Sequence, residues 1–202
     1  MRCGVRARIR LATPADAAAV QAIYAPIVRD TAISFETVPP TVEETAARIE
    51  GTLRQHPFLV LEDGGEVRGY AYASTFRPRG AYAWSVETTI YLRDDSRGRG
   101  VGRALYEALI PLLRIAGYRQ AYAAIALPNE ASIALHERAG FTHLGTFERA
   151  GYKHGAWRSV GWWQLLLPLP DRDPPPPRPI AEAIEHPEAQ AALAEATRFV
   201  RG

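Results

Sequence analysis

The sequence predicts an α+β domain built on one mixed sheet flanked by helices, and three observations carry that reading. Strand-like and helix-like runs alternate in the order strand, helix, helix, three strands, helix, strand, helix, two strands, which suits helices packed on a single sheet. A glycine-rich stretch, Arg97 to Arg103, joins a strand-like run directly to a helix-like one. With 202 residues, 47% of them hydrophobic, the chain can bury a sizeable core, and nowhere do apolar residues run long enough to cross a bilayer.

Ile9-Arg10-Leu11 alternates like a short first strand, and Thr13-Pro14-Ala15-Asp16 supplies an N-cap with proline at the first helical position. The helix that follows runs to Arg29, with Val20, Ile23, Tyr24 and Ile27 on one stripe. The run from Thr31 to Val38 carries Phe35 and stops at Pro39-Pro40. Thr41 and Glu44 form a capping-box pattern that opens a second helix to about Gln55. Phe58 to Glu62 and Val67 to Ala73 flank Asp63-Gly64-Gly65 and read as a hairpin. A cationic loop, Phe76 to Gly80, leads into a strand from Tyr82 to Leu92.

After the glycines, Leu105, Ala108, Leu109 and Leu112 mark a helix from Val101 to Ala116 that Gly117 stops and Pro111 interrupts. Tyr118 to Leu127 reads as a strand, and Asn129 caps a helix over Ala131 to Arg138. Two last strands, Thr142 to Glu148 and Ser159 to Leu167, are joined by a loop containing Tyr152 to Trp157. The expected organisation is a loose end at 1–8, a domain at 9–168, a proline-rich spacer at 169–186, and a helical tail at 187–202 with Ala191, Ala194 and Phe199 on its apolar stripe.

The glycine stretch also points to chemistry. A strand-to-helix turn presents unpaired backbone N–H groups at the positive end of a helix, which favours an anion. Glycines at 98, 100 and 102 remove the Cβ atoms that would hold a phosphate off the main chain, while Arg97, Arg99 and Arg103 add charged donors. No Gly-Lys-Ser/Thr ends the loop and the glycine spacing is not Gly-x-Gly-x-x-Gly, so neither the ATP-type nor the dinucleotide loop fits. An ordinary glycine-rich turn is the competing reading.

Composition bounds the partners. A net charge of +2 gives no reason to expect nucleic acid or a membrane surface. The lone Cys3 has no partner for a disulfide, and the first residues lack the apolar core of a signal peptide, so a cytoplasmic location is expected.

Five runs, in order, carry a resemblance: Phe76 to Tyr91, the loop Arg97-x-x-Gly100-x-Gly102, Leu127-Pro128-Asn129, Leu135-His136-Glu137-Arg138-Ala139-Gly140-Phe141, and Gly151-Tyr152-Lys153-His154-Gly155-Ala156-Trp157. From about Ile9 to Pro179 the chain resembles the phosphinothricin N-acetyltransferases of the GNAT superfamily. The resemblance implies the GNAT acyl-CoA N-acyltransferase fold, with a mostly antiparallel mixed sheet. It further implies acetyl-CoA as donor, no metal, a homodimer, and acetylation of the amino group of a small amino acid such as phosphinothricin or methionine sulfone or sulfoximine.

Acetyl transfer to an amine needs a base, a donor for the developing oxyanion, and a proton for the departing thiolate. On the resemblance, Glu87 is the base, acting directly or through water. Its competing reading is a strand carboxylate paired with an arginine. His136 stands where the wider superfamily usually has tyrosine and faces the sulfur as acid, base or orienter; Asn129, Ser132 and His136 share one helix face. The backbone of Ile90, Tyr91 and Leu92 pairs with the pantetheine arm, Asn129 and Ser132 hold it, and residues Arg97, Gly98, Arg99, Gly100, Val101, Gly102 and Arg103 take the diphosphate. Arg77 and Arg79 anchor the acceptor's acidic groups unless they are a solvated loop, Phe35, Tyr82 and Thr89 form walls, and Lys153 and His154 reach in from a later loop. Ala126 and Ser159 stand where many relatives have glycine and aspartate, which bears on acceptor preference.

Overall fold

In a computed structural model of the protein, residues 7–169 and 173–201 are described, so Cys3 and most of the expected loose end lie outside the described residues. The sheet has seven strands in the order β1-β2-β3-β4-β5-β7-β6. They are β1 (Arg8–Leu11), β2 (Phe58–Asp63), β3 (Glu66–Thr75), β4 (Ser85–Leu92), β5 (Gln120–Ala126), β6 (Thr142–Lys153) and β7 (Ala156–Leu166). Every neighbouring pair is antiparallel except β4 and β5. The helices are α1 (Ala17–Asp30), α2 (Val42–Leu53), α3 (Val101–Ala116), α4 (Glu130–Arg138), α5 (Ile180–Ala183) and α6 (Pro187–Ala196).

Local chemistry sets these boundaries. Thr41 Oγ1 accepts from the Glu44 N–H while the Glu44 carboxylate accepts from the Thr41 N–H, closing the expected capping box of α2. Gly117 ends α3 in the left-handed region, with its N–H on the Arg114 carbonyl and the Tyr118 N–H on that of Leu113. The apolar side of α3 lies on the sheet: Leu105, Leu109, Leu112 and Leu113 are fully buried, each stabilising the fold by about 1.5–3 kcal/mol. A second cluster, on the opposite side, packs Val20, Ile23 and Ile49 of α1 and α2 against Phe58, Val60 and Tyr70.

Four sequence expectations are corrected. Tyr82 belongs to a short 3₁₀ turn, Gly80–Tyr82, and β4 starts at Ser85. The run from Tyr152 to Trp157 is not a loop but the end of the β6–β7 hairpin, turned at His154 (φ 51°) and Gly155 (φ 72°), two successive positive-φ residues of the type that matches strand twist. The proline spacer ends at Pro179, because Ile180, Ala183 and Ile184 are buried against the core that includes α3. Within α6 the buried stripe is Ala189, Leu193 and Ala196, while Ala191 and Ala194 face outward. The described part of the spacer is itself held: Trp84 Nε1 donates to the Pro175 carbonyl and Gln55 Nε2 to that of Pro177.

Candidate active site

The parallel pair β4–β5 creates the site. Its register holds only at Ser85↔Gln120, Val86↔Ala121 and Glu87↔Tyr122. Beyond that point β4 stays paired to β3 as far as Leu92 and β5 to β7 as far as Ala126, so their facing edges diverge into a wedge. Thr88 Oγ1 donates to the Tyr122 carbonyl at the apex, 3.2 Å away. Free N–H and C=O groups on such an edge can pair with an extended chain bearing amides, which a pantetheine arm is.

At the end of β4 the chain turns into α3 through the glycine stretch. Gly98 and Gly100 both have positive φ, 73° and 82°, and α3 begins at Val101. Among the described residues, no carbonyl or side chain accepts from the N–H groups of residues 98–103. These donors, at the positive end of a 16-residue helix, form an anion cradle. The cradle opens into a cavity of about 1150 Å³ lined by Ile90, Tyr91, Leu92, Arg97, Gly98, Gly100, Gly102, Arg103, Asn129 and Ser132. Of the loop residues expected there, Arg99 instead offers its carbonyl to the Arg201 N–H, and the side chain of Val101 is buried in the core. Asn129 caps α4, its Oδ1 accepting from the Ser132 N–H, which leaves the amide NH₂ for another partner.

His136 does not line this cavity; Tyr106 does. His136 is 3% exposed, with Nδ1 2.7 Å from the Ser132 carbonyl and Nε2 2.7 Å from the Tyr106 hydroxyl. A carbonyl can only accept, so Nδ1 carries the proton and Nε2 accepts from Tyr106. Burial lowers the pKa of His136, with the Ser132 bond opposing, and raises that of Tyr106 well above the ordinary phenol range. His136 is thus a neutral imidazole bonded to the cavity-lining Tyr106 rather than lining the cavity, which differs from the expectation that it faces the sulfur itself. The sequence pattern does not single out Tyr106, because it shares the helix with the stronger apolar stripe; Gly102, Arg103, Tyr106, Glu107 and Ile110 form a second stripe that lines the cavity.

Glu87 lies at the wedge apex on the other face of β4. Residues opposite one another in register share a face, so Glu87 sits with Ser74 of β3 and Tyr122 of β5. On that face Ser74, Tyr72 and Tyr91 border a second cavity of about 380 Å³. Burial raises the Glu87 pKa, opposed by the charge of Arg77. Phe76 stacks on Tyr122 at 4.1 Å, and the Arg77 guanidinium covers the Phe76 ring at 4.6 Å, which brings the cation toward the carboxylate. Tyr82 meets the edge of Phe76 at 5.8 Å, while Arg79 is exposed with no side-chain partner among the described residues. Thr89, two residues along β4 from Glu87, shares its face. On the neighbouring strand Trp162 adds a group the sequence reading did not single out: its buried indole N–H has no acceptor among the described residues, and its ring lies 6.1 Å from Phe76.

Lys153 is corrected. It is 6% exposed, and its three donors are spent at 2.7 Å on the carbonyls of Val28, Ser34 and Glu36, so it ties the segment bearing Phe35 to the hairpin and leaves no donor for an acceptor molecule. Phe35 itself packs over Gly151, where its ring would lie 2.5 Å from any added Cβ. His154 Nε2 meets the Thr31 carbonyl at 3.1 Å. Ser159 donates to Glu148 and accepts from the Arg149 N–H, steadying an irregular stretch of β6. Among the described residues, no group of three or more His, Cys, Asp and Glu side chains could hold a metal, and no helix is long and apolar enough to cross a membrane.

Comparison with known proteins accords with this geometry. The family described as the Acetyltransferase (GNAT) domain matches residues 9–162. Phosphinothricin N-acetyltransferase of Streptomyces viridochromogenes is 41% identical over 172 residues, covering 85% of this chain and 92% of its own. The L-methionine sulfoximine/L-methionine sulfone acetyltransferase of Pseudomonas aeruginosa is 39% identical over 163 residues, 80% of this chain and 95% of its own. A solved phosphinothricin acetyltransferase of Sinorhizobium meliloti, in complex with acetyl-CoA, superposes with a TM-score of 0.77 at 37% identity, covering 81% of this chain and 89% of that one. Wedge, cradle and kinship agree: the chain belongs to the phosphinothricin N-acetyltransferase family of the GNAT superfamily and is an acetyl-CoA-dependent acetyltransferase.

Proposed function

We propose that the enzyme acetylates the amino group of a small amino acid carrying a tetrahedral acidic or sulfonyl group, such as phosphinothricin or methionine sulfone or sulfoximine. The observation that carries this reading is the half-buried carboxyl of Glu87 where β4 and β5 part, within reach of the charge of Arg77. Relatives named for these substrates support it. Acetyl-CoA lies in the large cavity with its diphosphate on residues 98–103 and its amides along Ile90, Tyr91 and Leu92. Glu87, directly or through one water, removes a proton from the substrate ammonium. The neutral amine attacks the thioester carbon, a C–N bond forms, and a backbone N–H of the β4 edge stabilises the oxyanion. The C–S bond then breaks, the departing sulfur takes up the nitrogen's second proton and leaves as the free thiol while the Tyr106 hydroxyl turns its hydrogen bond from His136 Nε2 to it, and Glu87 returns the first proton to solvent. Arg77 and Arg79 hold the acceptor's acidic groups, with Phe35, Tyr82, Thr89 and the Trp162 N–H around it.

The test is thiol release from acetyl-CoA with phosphinothricin, methionine sulfone, a peptide and a polyamine offered separately. Turnover on the first two supports the reading; turnover on the peptide or polyamine alone rejects the acceptor class, and cofactor binding without turnover on any amine would leave an acyl-CoA-binding module. We also propose a homodimer: Leu144, Phe147, Tyr152 and Trp157, all more than half exposed on the β6–β7 hairpin, suit cover by a second copy. Light scattering at micromolar concentration distinguishes dimer from monomer.

A further inference from the structure

The acyl-CoA site has a wall from outside the family domain. The matched family region ends at 162, yet Arg198, Phe199 and Arg201 line the same cavity as the glycine cradle. The placement is fixed by several contacts. α6 packs on the core through Ala189, Leu193 and Ala196, and Arg114 of α3 bonds Glu188 at 2.8 Å. A 3₁₀ turn, Thr197–Phe199, then carries the chain onto the loop. There the Arg201 N–H donates to the Arg99 carbonyl at 2.9 Å, and the Arg103 guanidinium lies 3.8 Å over the Phe199 ring.

The tail flanks the cradle without plugging it. The Phe199 carbonyl lies against Gly100 so closely that an added Cβ would sit 1.9 Å from it, yet that oxygen accepts nothing from the N–H groups of residues 98–103. The tail's backbone engages the loop only at Arg99, the Arg201 N–H donating to its carbonyl and the Arg201 carbonyl accepting from its Nε at 3.4 Å, and takes none of the backbone N–H groups of residues 98–103. The donors stay unpaired beside the cavity, and two further guanidiniums border it. Arg198 and Arg201 are exposed and form no ion pair among the described residues, whereas Arg97 is partnered by Asp94 and Arg103 by Glu107. Unpaired arginines gathered beside an anion cradle suit a further phosphate, and a phosphate monoester carries about −1.5 to −2 charges.

We propose that the segment 197–201 is a working part of the donor site, with Arg198 and Arg201 binding the 3′-phosphate of acetyl-CoA. This rests on the acetyl-CoA reading of the cavity. Full-length protein and the double variant Arg198→Ala/Arg201→Ala are assayed by thiol release with acetyl-CoA and with acetyl-3′-dephospho-CoA at saturating amine. For acetyl-CoA the variant is expected to raise KM roughly tenfold or more with kcat within about twofold, since each bidentate phosphate contact is charge-assisted. Acetyl-3′-dephospho-CoA should bind wild type and variant alike. An unchanged or lowered KM for acetyl-CoA overturns the proposal, the lowered value marking the tail as a screen. An equal KM rise for both donors overturns the 3′-phosphate assignment. Wild type that fails to saturate with acetyl-CoA would instead strike at the underlying reading. Both side chains are exposed, so the variant's melting temperature should match wild type.

Discussion

Replacing Lys153 with methionine separates a supporting role from a substrate contact. The ammonium is 6% exposed and donates three 2.7 Å bonds that tie the end of α1 and the following segment to the β6–β7 hairpin. Bonds to a charged group contribute about 1.5–3 kcal/mol each, so three amount to roughly 4.5–9 kcal/mol before the cost of burying the cation is set against them. That cost is several kcal/mol, and some of the freed carbonyls gain water because Phe35 and Thr37 nearby are exposed. The net loss on Lys153→Met is therefore about 2–4 kcal/mol. For a chain of this size it corresponds to a fall of roughly 5–15 °C in melting temperature. Phe35 rides on the freed segment, so KM for the amine rises while KM for acetyl-CoA holds. Calorimetry and two-substrate kinetics read both. A variant that melts with wild type refutes the reasoning, and one that does so with a raised amine KM restores Lys153 as a direct contact.

Other outcomes follow from the same geometry. Glu87→Gln should lower kcat/KM at least about 10²-fold, a barrier rise of roughly 2.7 kcal/mol, with folding intact by circular dichroism. Since burial raises the Glu87 pKa, activity should fall with decreasing pH above the ordinary carboxylate range; Arg77→Ala removes the opposing charge, so the acid limb of its rate profile moves to higher pH. His136 and His56 are both held neutral by burial, so the folded chain binds fewer protons than the unfolded one. Stability is then full above about pH 6.5 and declines as pH falls below it, and His136→Asn should make that decline shallower. Gly98→Ala meets open space and incurs only the left-handed penalty of about 1–2 kcal/mol, whereas Gly100→Ala must also displace the Phe199 carbonyl. Deleting residues 197–202 should recover part of the Gly100→Ala loss by thermal melt, and no recovery would mean the tail contact carries no strain.

What the sequence disclosed depended on how local the signal was. α3 was legible end to end because glycines bracket it, and the α2 cap because threonine and glutamate stand three apart. The hairpin of β6 and β7 extends beyond what the sequence shows, since the register slips between Phe147 and Gly151 and the turn residues are His154 and Gly155 instead of asparagine and glycine. The donor-side residues were readable as a motif, but the Tyr106–His136 pair joins two helices and no single stretch reveals it. Lys153 misled for a related reason: a lysine in a familiar run says nothing of three carbonyls more than a hundred residues away. The tail was visible as helix, while its landing place on Gly100 needed the packing of α6 to be known.

The short β4–β5 pairing has a mechanical meaning as well. Three rungs join β1–β4 to β5–β7 within the sheet, which makes that seam the place where the two halves part most readily. An amide-bearing arm laid along the gap supplies missing rungs and stitches the halves together, so a donor analogue should slow hydrogen exchange in Thr88–Leu92 and Ala123–Ala126 more than in β2.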